Sequence, residues 1–291
     1  MHNNHIIDGV NKEINLIYHN RDVFINFTKN FKSILPDIVI KKHDNINVVR
    51  EDLILKGGTK TRIGEFYFSQ ITNRVVVYVV PRFGLAGAAI MELCKLYNKE
   101  AIFFMPACKE ISDHQAYVID QKPRDVIFKR IAAMPNLNRI AQKYANLHGF
   151  EFIPFGLNHS HVIAGAVRVC EDLLKNYNEP DQLWTAVSTG VLTRGLQIGF
   201  ENTEMHGVAV ARNMKAGELG RTNIISEPLG FHSKEKQLPP FNSVDNYDAK
   251  VWKYIPKDTN KNIWFWNVAK DLKCPTYFDK KLVNSYRDWN D

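Results

Sequence analysis

The chain has 291 residues, 45% of them apolar and 24% charged, and a formal net charge of +7. That length buries a large core and suits one big domain or two smaller ones. No apolar run reaches membrane-spanning length and no charged n-region leads into an apolar h-region, so no membrane partner and a cytoplasmic location are expected.

The cysteines, Cys94, Cys108, Cys170 and Cys274, are widely spaced and form no CxxC pair. That fits reduced thiols in cytosol and excludes a disulfide framework or a zinc ribbon. The positive charge leaves two readings open. One is a polyanionic partner such as nucleic acid; the other is a Lys- and Asn-rich chain with a solvated basic face. The basic residues are dispersed, with one modest concentration at Arg124, Lys129, Arg130, Arg139 and Lys143.

The first residues, MHNNHIIDGVNKEIN, are polar and read as a loosely held lead-in. Val23 to Ile40 predicts a helix and then a short strand, punctuated by Pro36. Asn47 to Lys56 predicts a strand that runs into a turn. The turn and the residues after it read KGGTKTRIGEF, from Lys56 to Phe66. Gly57 and Gly58 permit a tight turn, and a helix should start near Glu65. Lys60 is thereby placed at the mouth of a strand–turn–helix unit, near the positive end of a helix dipole. The residues alone allow two roles for it: a surface lysine in a polar turn, or an amine nucleophile of lowered pKa able to form a Schiff base.

Arg74 to Val80 is a β-branched run of buried-strand type, broken by Pro81-Arg82-Phe83-Gly84. Ala86 to Tyr97 reads as a helix, Ala101 to Met105 as a second buried strand, and Ile127 to His148 as helical spacing interrupted at Pro135. Phe152 to Phe155 is strand-like and Val162 to Leu174 an apolar-striped helix, with Cys94 and Cys170 on apolar helical faces. A strand from Trp184 to Val187 meets a glycine-bearing turn and a helix from about Thr193. His206 to Ala211 is another strand. Pro228 to Asn246 is a long connection of the kind that carries function. Tyr247 to Tyr254 looks helical, Ile263 to Val268 is a strand, and the remainder, with Pro275, is a tail. Strands alternating with helices predict an α/β protein with largely parallel sheets, and ligands in such sheets bind beyond the carboxyl ends of strands.

Three local patterns carry chemistry. The first is the Lys60 turn. The second is Ser188-Thr189-Gly190-Val191-Leu192-Thr193-Arg194-Gly195-Leu196, preceded by a strand and followed by a helix, where successive N–H groups at the turn can cradle a phosphate. The third is Asn246-Tyr247-Asp248-Ala249-Lys250, which reads equally as a capped helix start or as a functional Tyr–carboxylate pair. His159 and His161 have metal-like spacing but no neighbouring carboxylate or thiol, so a loop near an active-site mouth is expected instead.

The run from Arg50 to Phe66, with its Gly-Gly pair, Lys60, Thr61 and Arg62, resembles the Schiff-base segment of pyridoxal phosphate enzymes of fold type II. It is most similar to the aminocyclopropane-carboxylate deaminase and D-cysteine desulfhydrase branch, and the likeness runs, with gaps, to about residue 270. The resemblance implies two open, mostly parallel sheet domains with helices on both faces and the cofactor in the cleft between them. The bounds expected are 1–75 plus 176–291 for a larger cofactor-binding domain and 76–175 for a smaller one. It implies pyridoxal 5'-phosphate on Lys60, its phosphate in the Ser188–Leu192 turn, Asp248 facing the ring nitrogen and Tyr247 facing a small amino-acid substrate. It also implies a homodimer.

Departures from the family pattern are specific. Thr59 stands for the usual Asn and is expected near substrate; Val191 and Leu192 stand for Gly and Thr. Pro81-Arg82-Phe83 replaces a Ser-Asn-His that grips the substrate carboxylate. Phe83 can stack on the cofactor ring, and Arg82 either pairs with a substrate carboxylate or phosphate or stands in solvent. Trp266-Asn267-Val268-Ala269 stands for a His-Thr-Gly-Gly stretch. The implied activity is a lyase or deaminase working at the alpha carbon. Two alternatives stay open: a divergent, phage-type enzyme of DNA base hypermodification, for example a decarboxylase of an amino-acid adduct on DNA, and a non-catalytic binding protein on this fold.

Overall fold

The computed structural model describes residues 20–54, 56–130, 133–215, 217–274, 276–277 and 279. The expected N-terminal lead-in to residue 15 and Pro275 of the expected tail lie outside them. The chain forms two compact units, one of residues 1–54 and 158–271, the other of residues 55–157 and 272–291. The first two bounds, at 54 and 157, fall earlier than the 75 and 175 expected from the sequence, so the Lys60 segment goes with the smaller unit, and the break at 271 was not expected.

The larger unit holds a six-stranded sheet in the order β1-β2-β10-β7-β8-β9. Its strands are β1 (Ile40–His43), β2 (Ile46–Arg50), β7 (Gln182–Val187), β8 (Glu204–Ala209), β9 (Asn223–Ser226) and β10 (Ile263–Asn267). Only the β1–β2 pair is antiparallel. Exposed Lys41 and Lys42 on that outer strand discourage further pairing. The central strands β7 and β10 are buried along their length, as parallel strands covered on both faces must be. Alternate residues feed two cores. Val48, Trp184 and Phe265 pack with Val251 and Trp252 of the 3-10 segment Asp248–Tyr254. Val49, Trp264 and Trp266 pack with Cys170, Leu196 and Phe200 on the other face.

That second core is roofed by α6 (Ser160–Leu174) and α7 (Val191–Gly199), while α1 (Arg21–Thr28) packs on α6. The α6–α7 pair is close because a Cβ on Gly195 would stand 2.3 Å from Ala166 Cβ.

The smaller unit holds a four-stranded parallel sheet, β5-β4-β3-β6. Its strands are β3 (Val75–Val79), β4 (Glu100–Pro106), β5 (Asp125–Lys129) and β6 (Glu151–Phe152). Its helices are α2 (Thr59–Gln70), α3 (Ala86–Leu96), α4 (Asp113–Asp120) and α5 (Met134–His148). On α5 the buried residues Leu137, Ala141 and Ala145 repeat at helical spacing and cover β3, β4 and β5.

Several expectations need correction. The strand expected to end at Lys56 ends at Arg50, and Glu51–Leu53 is a 3-10 turn. Asp52 forms a bidentate pair with Arg50 there, which bends the chain out of the sheet. Lys60 therefore does not follow directly on a strand. The helical spacing expected from Ile127 belongs to two elements, β5 and α5; Pro135 opens the helix, where its missing N–H costs nothing. The short strand expected to close at Ile40 opens there instead, as β1, while the strand β9 and the helix α4 were not expected.

Candidate functional site

Each sheet has one point where the strand order reverses. In the smaller unit it lies between β3 and β6: β3, β4 and β5 progress to one side, and β6 returns to the other. Such reversals open a crevice beyond the carboxyl ends of the strands. Lys60 belongs to this place. It is the second residue of α2, whose cap, Gly58, follows Gly57 in the left-handed region at φ 83. Its Nζ donates to the carbonyl of Gly156, 3.0 Å away, in the segment after β6. Lys60 is half-buried, and desolvation of its ammonium lowers its pKa to about 8.

Gly156 is held at its other backbone group as well. Its N–H donates to Tyr78 Oη, 3.3 Å away on β3. Gly156 and Leu157 both have positive φ, 69° and 59°. For leucine that conformation costs roughly 1–2 kcal/mol, so the surrounding packing must hold it.

Thr59, expected near substrate, opens α2 and is buried. The loop after β3 carries Arg82 and Phe83. Arg82 is exposed, and its guanidinium lies 5.9 Å from the Phe83 ring. Phe83 is half-buried and meets His114 of α4 edge-on at 6.3 Å. The Gly84 N–H donates to His114 Nδ1 at 2.9 Å, so His114 carries its proton on Nε2 when neutral. His114 was not foreseen: no motif surrounds it, and only the packing of α4 brings it to the loop.

In the larger unit the reversal lies between β7 and β10. Ser188 and Thr189, both half-buried, follow β7; Gly190 caps α7 at φ 79, and Val191 and Leu192 are already helical. The first N–H groups of a helix have no partner within it. The first turn also contains Thr193, which is 1% exposed and whose Oγ1 has no hydrogen-bond partner. Arg194 folds back over the turn, its Nη1 donating to the Thr189 carbonyl at 3.1 Å. Thr193 and Arg194 both lie within the pattern read from the sequence, but neither was given a role there, because a hydroxyl and a cation in a helix carry no spacing signal.

Tyr247 and Asp248 come to the same edge. Tyr247 Oη donates to the Ala186 carbonyl near the end of β7, at 3.4 Å. Asp248 is fully buried; its Oδ1 accepts from Val244 N and its Oδ2 from Val268 N, both at 2.7 Å. Burial pushes its carboxyl up to about 7, against the N–H donors that favour the ionised form. Asp248 thus ties the residue after β10 to the turn that precedes it. Beside it, Asn267 Nδ2 donates to Asp52 Oδ1 at 2.7 Å, which joins β10 to the Arg50–Asp52 pair.

His159 and His161 are not in a loop. His159 caps α6, accepting from His161 N, and burial lowers both to about 4. Among the described residues no group of three or more His, Cys, Asp or Glu is placed to hold a metal, and no helix is long and apolar enough to cross a membrane. Cys94 and Cys170 are buried core residues.

No protein-family model and no curated protein matches the chain. Solved structures do resemble it. An ACC deaminase homologue shares 16% identity, with 89% of this chain and 98% of that one covered, at a TM-score of 0.72. Serine racemase from maize shares 12% identity over 87% of this chain and 93% of its own, at 0.68. Threonine deaminase isoform 2 from Solanum lycopersicum shares 14% over 78% and 79%, at 0.60. At these identities the likeness establishes the fold: two mostly parallel α/β sheets with helices around them, the fold type II class expected from the sequence.

Proposed function

We propose that the chain is a pyridoxal phosphate enzyme of fold type II that acts at the alpha carbon of an amino-acid substrate, as a lyase or deaminase. The observation that carries this reading is Lys60: a desolvated amine of pKa about 8, held beyond the carboxyl ends of β3 and β6. Structures of similar fold include deaminases and an ammonia lyase, which favours loss of an amino group.

The residues present fit the cofactor. The orphaned hydroxyl of Thr193 at the head of α7 is a buried donor in want of an acceptor, which a phosphate supplies. Lys60 would hold the cofactor covalently, and Ser188, Thr189, Gly190, Val191, Leu192 and Thr193 would hold its phosphate. When bound, pyridoxal phosphate supplies an aldehyde that condenses with amines and a ring that takes up the electron pair of a carbanion.

The chain's own groups do the rest. Lys60 Nζ, with its pKa near neutrality, takes a proton from the alpha carbon and carries it. Phe83 offers a ring face, and Arg82 offers a guanidinium to the substrate carboxylate. Asp248 would face the ring nitrogen and Tyr247 would orient the substrate.

The test is to mix the purified protein with pyridoxal phosphate, reduce with borohydride and map the adduct by mass spectrometry. A single pyridoxyl group on the Lys60 peptide, lost in Lys60→Ala, is expected. Label spread over several surface lysines, or none at all, would sink the reading.

A further inference from the structure

We propose that the Gly156 carbonyl, set by Tyr78 and by the packing of the next residue, Leu157, against Gly64, is a docking point that positions the Lys60 amine whenever that amine is not covalently engaged. The inference rests on the reading of Lys60 as the reactive amine and names Tyr78 as its positioning residue.

Residues 60 and 64 lie one turn apart on the same face of α2. Position 64 is glycine, and the space beside it is taken. A Cβ there would meet Leu93 Cδ1 at 3.0 Å and Leu157 Cδ2 at 3.1 Å. Leu157 is 1% exposed and left-handed, so it is held where an isolated chain would not put it. The residue before it is then fixed too. The Leu157 N–H closes a turn on the Pro154 carbonyl at 2.9 Å, inside which Gly156 adopts its positive φ. Its carbonyl faces Lys60 and its N–H faces Tyr78.

Tyr78 lies on the second-to-last position of a fully buried strand and is itself 1% exposed. Nothing in the proposed chemistry uses it. An apolar residue would fill that place equally well, yet a phenol stands there with its oxygen on the Gly156 N–H. Burial holds Tyr78 well above its ordinary pKa, so it stays a neutral acceptor. No charged side chain among the described residues sets the Lys60 pKa; burial alone lowers it. The carbonyl of Gly156 works against that burial, since it accepts a stronger, charge-assisted hydrogen bond from the ammonium than from the free amine.

The experiment follows Lys60 in the cofactor-free, full-length protein. Competitive acetylation across pH, read on the Lys60 peptide by mass spectrometry, gives the midpoint at which the amine becomes reactive. Tyr78→Phe removes one oxygen and leaves the ring. With the turn released, the ammonium loses its acceptor and the midpoint falls by about half a unit to one unit. Gly64→Ala displaces Leu157 from the other side and moves the midpoint the same way. Exposed Lys257 serves as the internal control and keeps its own midpoint in both variants. An unchanged or raised Lys60 midpoint in both variants overturns the inference. Because no pyridoxal phosphate is present, a shift in protein that fails to take up the cofactor retains the docking point and sinks the enzyme reading. Specific labelling by the cofactor with no midpoint shift does the reverse.

Discussion

Gly57 lies flat against Ala89: a Cβ built on Gly57 would stand 2.5 Å from Ala89 Cα. This contact seats the turn before Lys60 on the first turns of α3, which begins just after the β3 loop. Gly57 also has φ 83, where a side chain is strained. Gly57→Ala therefore meets a backbone atom and a disfavoured conformation together. We expect a loss of at least about 2 kcal/mol in urea unfolding. Ala89→Gly should recover part of it by removing the Ala89 Cβ, which the new methyl would meet at 2.6 Å. A Gly57→Ala protein as stable as wild type would mean that the turn is not seated there.

Lys60 should cost the fold stability at neutral pH. Its ordinary pKa of 10.5 is lowered to about 8 in the folded chain, so between these values the unfolded chain binds more protons. Stability from this group is present above pH 10.5 and is lost as pH falls through 8. Lys60→Met removes the buried charge and keeps the stem's packing. At pH 7 it should be more stable than wild type by about 1–3 kcal/mol, with the gap narrowing between pH 8 and 10.5. Chemical denaturation at pH 7 and pH 10 reads the gap; a variant less stable than wild type at pH 7 would show that the amine is not desolvated.

Much of this arrangement was legible in the chain. The run at Val75–Val79 and the first four residues of Ile263–Asn267 are apolar or β-branched, and both segments are buried parallel strands. The Ser188 pattern follows the end of β7 directly, since glycines and small polar residues mark where the backbone leaves a sheet. What was illegible depends on partners distant in sequence. Tyr78 reads as one more strand residue until Gly156, 78 positions later, is placed on it. His114 carries no pattern of its own until Gly84 donates to it. The end of β2 was misread because Leu53 and Ile54 extend the apolar run, whereas the buried pairing of Arg50 with Asp52 turns the chain aside.

Arg50 and Asp52 are joined at 2.8 Å, with side chains 8% and 0% exposed. Asp52 also receives the Asn267 amide, so it links the carboxyl ends of β2 and β10. Asp52→Asn leaves the guanidinium buried without its counter-charge. A loss of about 3–5 kcal/mol is expected in urea unfolding, with little change when Arg50 and Asp52 are both replaced by apolar residues of similar volume. A loss under about 1 kcal/mol for the single variant would show that water reaches the pair.

Thr193 should act with opposite signs on stability and on cofactor affinity. Its hydroxyl is buried and unpartnered at the head of α7. Thr193→Val keeps the shape and removes the unsatisfied group, so the cofactor-free protein should be equally stable or gain up to about 1 kcal/mol. If the hydroxyl meets the phosphate, the same change should weaken pyridoxal phosphate binding about tenfold, the loss of a charge-assisted hydrogen bond. Titration by fluorescence reads the second effect. Unchanged affinity would take Thr193 out of the phosphate site.

Asp248 gives the sharpest dependence on pH. Its carboxyl, ordinarily at 3.8, is pushed up to about 7 by burial, so between those values the folded chain binds more protons than the unfolded one. The stability it contributes is full below pH 3.8 and declines as pH rises through 7. The span corresponds to about 4 kcal/mol as an upper limit, because the Val244 and Val268 N–H groups offset part of the desolvation. Asp248→Asn does not titrate and turns an amide toward one of those donors. It should therefore be less stable than wild type, and by a larger margin at pH 5 than at pH 8. Equilibrium unfolding at the two pH values reads that margin. A ring nitrogen opposite Asp248 would add a further effect: a cation there favours the carboxylate, so pyridoxal phosphate should draw the wild-type pKa down and flatten the pH dependence. If the cofactor binds at Lys60 and leaves that dependence unaltered, Asp248 serves the backbone around β10 and faces no ring.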